Sequence, residues 1–134
     1  MELTIDTSTE FAGVGLSHDG LVEAEFIWHA GQNHTVELIP AVSCLLGKVN
    51  KAVTDISAVF VASGPGSFNG LRVGVSTAKG LAFALGIPVF GIGTLEIAAY
   101  AFAFSGLTIC PIQNAGRGEI AAALYRRTNT GTSK

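Results

Sequence analysis

The segment Gly64-Pro65-Gly66-Ser67-Phe68-Asn69-Gly70 is where the chain's chemistry is most concentrated. Glycine-rich backbone that follows an apolar run and opens a helix can turn free N–H groups onto an anion. Gly64, Gly66, Ser67 and Asn69 are the candidates, with the cationic Arg72 close behind. The same residues also suit a plain tight turn whose helix is capped by Ser67 or Asn69. The Gly-Lys-Ser/Thr ending of a Walker A loop is missing, and the glycine spacing is not that of a dinucleotide fingerprint. A second polar group, Asp6-Thr7-Ser8, closes the first apolar segment. Two-metal hydrolysis needs several converging carboxylates. Glu37 can be imagined as a partner for Asp6, but the next apolar run ends in Ser63 and Gly64. His18, His29 and His34 lack metal-ligand spacing, since Leu38 stands four residues after His34. Each is expected as a satisfied surface or turn histidine. Ser67 lacks the closing glycine of a nucleophile elbow, because Asn69 occupies that position. The residues therefore assemble neither a catalytic set nor a metal set.

The elements that must position these groups are legible from periodicity. Leu3 and Ile5 alternate with polar neighbours and predict a strand ending near Asp6. Phe11–Ser17 and Leu21–Trp28 predict two more strands around Asp19-Gly20, a strong hairpin signal. Ile39, Val42, Leu46 and Val49 recur at helical spacing, predicting a helix over Thr35–Val49 capped by Asn33 or Thr35 and started or kinked by Pro40. Ala58–Ala62 is a continuous apolar run and predicts a strand buried on both faces. The glycine loop then leads into a helix over Leu71–Leu85, ended by Gly86 and Pro88. A strand over Pro88–Ile92, a helix from Thr94 to about Phe104 with Glu96 in its first turn, and strands over Leu107–Ile112 and Glu119–Arg126 complete the reading. Thr128–Lys134 is a polar tail expected to fray.

Within the Leu71–Leu85 helix and its approach, Gly70, Gly74, Ala78 and Ala82 recur every four residues as a smooth ridge. Such a ridge admits a close neighbour, either the sheet below or a second helix. Mid-helix glycine costs about 1 kcal/mol relative to Ala, so something must compensate.

Composition bounds the rest. The chain is 49% hydrophobic and only 13% charged, which specifies a folded core and leaves part of the surface for another chain to cover. Net charge is −2 and the basic residues are scattered, against tight nucleic-acid binding by this chain alone. Cys44 and Cys110 are not in a CxxC and are expected as reduced, buried thiols of a cytoplasmic protein. No stretch reads as a membrane span or a signal peptide.

The order is β-β-β-α-β-α-β-α followed by a hairpin. It predicts an α/β fold with a five-stranded mixed sheet, three antiparallel strands then parallel ones through crossover helices. Ribonuclease-H-like folds and the lobes of actin-like ATPases share this pattern. Residues 1–106 are expected to form one such lobe, and 107–134 the opening hairpin of a second, incomplete lobe plus the tail.

Leu3–Thr9, Asn33-His34 to Pro40, Gly64–Gly74, Ala78–Ala82, Gly93–Glu96 and Arg117-Gly118-Glu119 together resemble the TsaB (YeaZ) family. The resemblance runs from Met1 to about Tyr125. It implies an actin-like fold and a part in making threonylcarbamoyladenosine in tRNA, as a non-catalytic scaffold for the related catalytic subunit TsaD, with the ATPase TsaE as a third member. Older usage calls such proteins glycoprotease-like or M22 peptidases, so a peptidase or an ATPase is the alternative reading. The catalytic relative carries two metal-binding histidines where this chain has Thr94 and Ala98. The resemblance also implies that the first two helices form the contact surface, for TsaD and for a homodimer in isolation. That makes Val36, Ile39, Gly70, Leu71, Gly74, Ala78 and Ala82 the expected interface. Asp6, Thr7, Ser8 and the glycine loop then stand where related ATPases hold phosphates, but the incomplete second lobe implies no cofactor bound by this chain alone, ATP or ADP entering only in the complex. Asn69 replaces the family's usual Thr, and Gln113–Arg117 stands in place of its Asp-Ala-Arg-Arg.

Overall fold

The computed structural model describes residues 1–128. Strands β1 (Glu2–Asp6), β2 (Phe11–His18) and β3 (Leu21–His29) form an antiparallel meander. Asp19 and Gly20 both take positive φ (50° and 78°), the conformation that the two central positions of a tight hairpin turn require. Helix α1 (His34–Lys48) then crosses to β4 (Ala58–Ala62), which pairs parallel with β1. Helix α2 (Phe68–Leu85) crosses to β5 (Val89–Ile92), parallel to β4. The sheet order is β3-β2-β1-β4-β5, the five-stranded mixed sheet that the element order predicted.

The core lies between one face of this sheet and the two helices. Alternation sends Leu3 and Ile5 of β1, Val14 and Leu16 of β2, and Val59 and Val61 of β4 to the same side, where they meet Leu38, Val42 and Leu45 of α1 and Ala78 of α2. Each large aliphatic chain fully buried there contributes about 1.5–3 kcal/mol. Gly86 ends α2 in the left-handed region at φ 65°, as its place before Pro88 predicted. Pro40 sits inside α1 without ending it.

Several expectations shift. Helix α3 (Thr94–Tyr100) stops short of Phe104, and a short 3-10 turn covers Ala103–Ser105. Tyr100, Phe102 and Phe104 are all exposed, so no buried face holds a longer helix there. Strand β6 is Ile112–Gly116 rather than Leu107–Ile112, and β7 is Glu119–Ala122. They form their own two-stranded sheet, with Arg117 and Gly118 both at positive φ in the turn. Cys44 and Cys110 are exposed, not buried. Cys44 lies on the outward side of α1, which an apolar sequence neighbourhood does not reveal. The tail expected to fray lies, past Thr128, outside the described residues. No helix among the described residues is long and apolar enough to cross a membrane.

Candidate functional site

The turn after β1 and the glycine loop before α2 are drawn together because β1 and β4 are parallel neighbours, so both end on the same edge of the sheet. Contact is direct. The Ser67 N–H donates to the Ser8 carbonyl at 2.7 Å, and a side chain at Gly66 would run into Ser8. The hydroxyls are spent within the chain. Thr7 Oγ1 donates to the Gly70 carbonyl at 2.6 Å. Ser8 Oγ donates to Asp6 Oδ1 at 2.6 Å, and the Ser8 N–H donates to the same oxygen at 3.0 Å. Ser67 is the N-cap of α2, its Oγ accepting from the Gly70 N–H at 3.4 Å. Ser67 is thus the cap that the tight-turn reading of this loop named.

The four-residue ridge faces inward. Gly70, Gly74, Ala78 and Ala82 are the buried residues of α2. A Cβ at Gly70 would collide with the Thr7 carbonyl, and one at Gly74 with the Thr7 hydroxyl, with Ile5 close behind. The compensation for these helix glycines is close approach to β1 of the same chain, which corrects the expectation that the ridge lines a partner interface. Leu71 is half-buried and leans on the loop, its Cδ1 being 3.3 Å from where a Gly64 side chain would begin.

What the two helices present outward is different. On α1, Val36 and Ile39 are 69% and 48% exposed. The other exposed positions from Thr35 to Gly47 are Thr35, Pro40, Ser43, Cys44 and Gly47, none of them charged. On α2, Asn69, Arg72, Ser76 and Lys79 face outward, with Phe83 91% exposed. Arg72 lies over the Phe68 ring at 5.6 Å. Between the start of α1 and the first half of α2 runs an open polar groove of about 590 Å³, lined by Gln32, Thr35, Asn69, Arg72, Ser76 and Thr77 among others.

His34 is satisfied as expected, but not at the surface. It is buried, and its Nε2 donates to the Thr9 carbonyl at 3.0 Å, joining the start of α1 to the turn after β1. His18 and His29 are exposed, near Asp19 and Glu10 at 3.4 and 3.6 Å. Glu37 accepts from Trp28 Nε1 at 2.7 Å, so this carboxylate fastens α1 to β3. No group of His, Cys, Asp and Glu suited to a metal occurs among the described residues. Thr94, one of the positions matched to the catalytic relative's histidines, is buried, and its hydroxyl has no hydrogen-bond partner among the described residues. Ala98 is exposed. A hydroxyl and a methyl do not reproduce an imidazole pair, so the donor set does not fit that metal.

With this geometry in place, similarity to known proteins is informative. A family model described as TsaD, tRNA N6-adenosine threonylcarbamoyltransferase, matches residues 28–133. The chain is 43% identical over 128 residues to the tRNA threonylcarbamoyladenosine biosynthesis protein TsaB of Bacillus subtilis. The chain belongs to the TsaB (YeaZ) family. The Bacillus alignment covers 95% of this chain and 56% of that protein. TsaB of Escherichia coli is 37% identical over 131 residues, covering 96% of this chain and 56% of that protein. The solved structure of YeaZ from Pseudomonas aeruginosa superposes with a TM-score of 0.87 at 31% identity, covering 96% of this chain and 61% of that one. The chain thus spans little more than half the length of the curated TsaB relatives.

Proposed function

We propose that this chain is a non-catalytic subunit of the cytoplasmic machinery that makes threonylcarbamoyladenosine in tRNA, docking a TsaD-like catalytic subunit through the outward faces of α1 and α2. One observation carries the reading: the exposed α1 surface from Thr35 to Gly47 is uncharged and presents Val36 and Ile39 to solvent. Exposed apolar surface of that kind marks a contact site. Family membership and the names of the TsaB relatives support the pathway. A TsaE-like ATPase is the third member, and in isolation the same α1 surface pairs with its copy in a homodimer. The self-satisfied turn at Asp6–Ser8 supports a chain that binds no nucleotide alone, so ATP or ADP enters only with the assembled complex.

Size-exclusion chromatography with light scattering tests this, using the chain alone and mixed with the TsaD-like subunit of the same source. A mixed complex that forms at the expense of the homodimer, and is weakened by Val36→Glu with Ile39→Glu, is the expected result. Binding indifferent to both substitutions overturns the proposed surface. Stoichiometric zinc, or ATP turnover by the pure chain, overturns the non-catalytic role in favour of the peptidase or ATPase reading.

A further inference from the structure

The Gly70–Ala82 ridge packs against β1, and a helix that buries one stripe presents the opposite stripe outward. On α2 that opposite stripe is Asn69, Arg72, Ser76, Lys79 and Phe83, all exposed. Arg72 and Lys79 are the only charged residues of α2. They stand seven positions apart on one face, and so about 10 Å apart along the helix. Neither has an ion-pair partner among the described residues. Across the groove, α1 offers no carboxylate in reply. Its one acid, Glu37, is half-buried and accepts from Trp28 Nε1 on β3. The two helices therefore present a surface that is apolar at Val36, Ile39 and Phe83 and whose exposed charge is positive alone.

A second copy answers such a surface poorly. A two-fold pair sets the same patch against itself, so Arg72 and Lys79 meet like charge or stay unpaired. Like-charge juxtaposition is a means of rejecting a partner. A nucleic acid is served no better, because two cations on one helix neutralise few phosphates. We infer that the cationic stripe of α2 selects a protein partner whose docking face carries carboxylates about 10 Å apart beside apolar side chains. Charge then ranks the mixed complex above the homodimer on the same surface. Arg72 is held over the Phe68 ring at 5.6 Å, which suits a guanidinium to a fixed carboxylate contact. The inference rests on the docking of a TsaD-like subunit by α1 and α2, and adds what distinguishes that occupant from a second copy.

Analytical ultracentrifugation tests this by measuring self-association of the complete chain and its binding to the TsaD-like subunit of the same source. The native chain is compared with Arg72→Gln plus Lys79→Gln, whose fold circular dichroism checks; both positions are exposed and face away from the sheet. Raising sodium chloride from about 50 to about 500 mM screens exposed charge pairs, and should weaken the native mixed complex about tenfold while self-association holds or tightens. The glutamine pair should weaken the mixed complex about tenfold at low salt, flatten its salt dependence and tighten self-association. Arg72→Lys keeps the charge and should keep the salt dependence. A mixed complex indifferent to the glutamine pair, yet weakened by Val36→Glu with Ile39→Glu, overturns the inference and leaves the docking surface standing. No mixed complex at any salt overturns both. Self-association weakened by the glutamine pair also overturns the inference, because the cations would then serve a second copy. So does labelled tRNA that the native chain binds and the glutamine pair releases, which would assign the stripe to phosphate.

Discussion

Thr7 Oγ1 donates to the carbonyl of Gly70 at 2.6 Å, and the same hydroxyl lies where a side chain on Gly74 would have to begin. One threonine thus joins the end of β1 to the first turn of α2 and sets how close the helix lies. This contact occupies a hydroxyl that would otherwise be free to meet an anion, and the close approach makes two glycines of α2 obligatory.

Gly74→Ala is therefore expected to destabilise the fold by roughly 1–3 kcal/mol, the range for overpacking a close interface, and Gly74→Leu to prevent folding. Thr7→Ala alone removes the hydrogen bond and should cost about 1 kcal/mol. The double variant Thr7→Ala with Gly74→Ala should lose less than the two single effects combined, because removing the hydroxyl makes room for the new methyl. Urea denaturation of the four proteins checks this, and strict additivity would show that the two residues are not in contact.

Glycines outside the ridge should behave in the opposite way. A Cβ at Gly47 or Gly80 meets nothing within 4 Å. Replacing either with Ala should raise stability by up to about 1 kcal/mol through helix propensity. If the outward helix faces dock a partner closely, the same substitutions will weaken association, so measuring stability and binding on one protein separates the two effects.

Thr94→Val should be neutral or stabilising by about 1 kcal/mol, since it removes a buried hydroxyl that lacks a partner while keeping the side chain's shape. Thermal denaturation gives the answer. A marked loss of stability would mean that the hydroxyl is bonded in solution.

Glu37 and Trp28 supply a spectroscopic handle, because Trp28 is the only tryptophan of the chain. Glu37→Ala leaves the indole N–H without its acceptor, which is 2.7 Å away in the native fold. The emission spectrum should change, and stability should fall by about 1.5–3 kcal/mol, as expected for a hydrogen bond to a charged group. An unchanged spectrum would place the carboxylate in solvent.

Much of this was legible in the residues. Alternation at Leu3 and Ile5, Asp19-Gly20 at the hairpin, the three- and four-residue spacing in α1 and the stop at Gly86-Pro88 are local signals, because strand and helix periods and positive-φ turns are properties of short segments. They led to the five-stranded mixed sheet and to the loop that stands between β4 and α2, while the strand order came from the fold. The family pattern was legible too, since it lies in contiguous motifs such as Gly64–Gly74. The side each residue faces was not legible to the same degree. The Gly70–Ala82 ridge had two equivalent uses on paper. Only the distance between α2 and β1 assigned it to the sheet, because an absent Cβ says that something comes close without saying what. Burial of His34, exposure of Cys44 and the capture of Glu37 by Trp28 likewise depend on partners distant in sequence or on the opposite element. The sheet face that carries Phe60 and Phe90 combines both kinds of information: the apolar run at β4 asks for cover on each side, and the packing of α1 and α2 onto a single face leaves Phe60 half-buried and Phe90 exposed on the other.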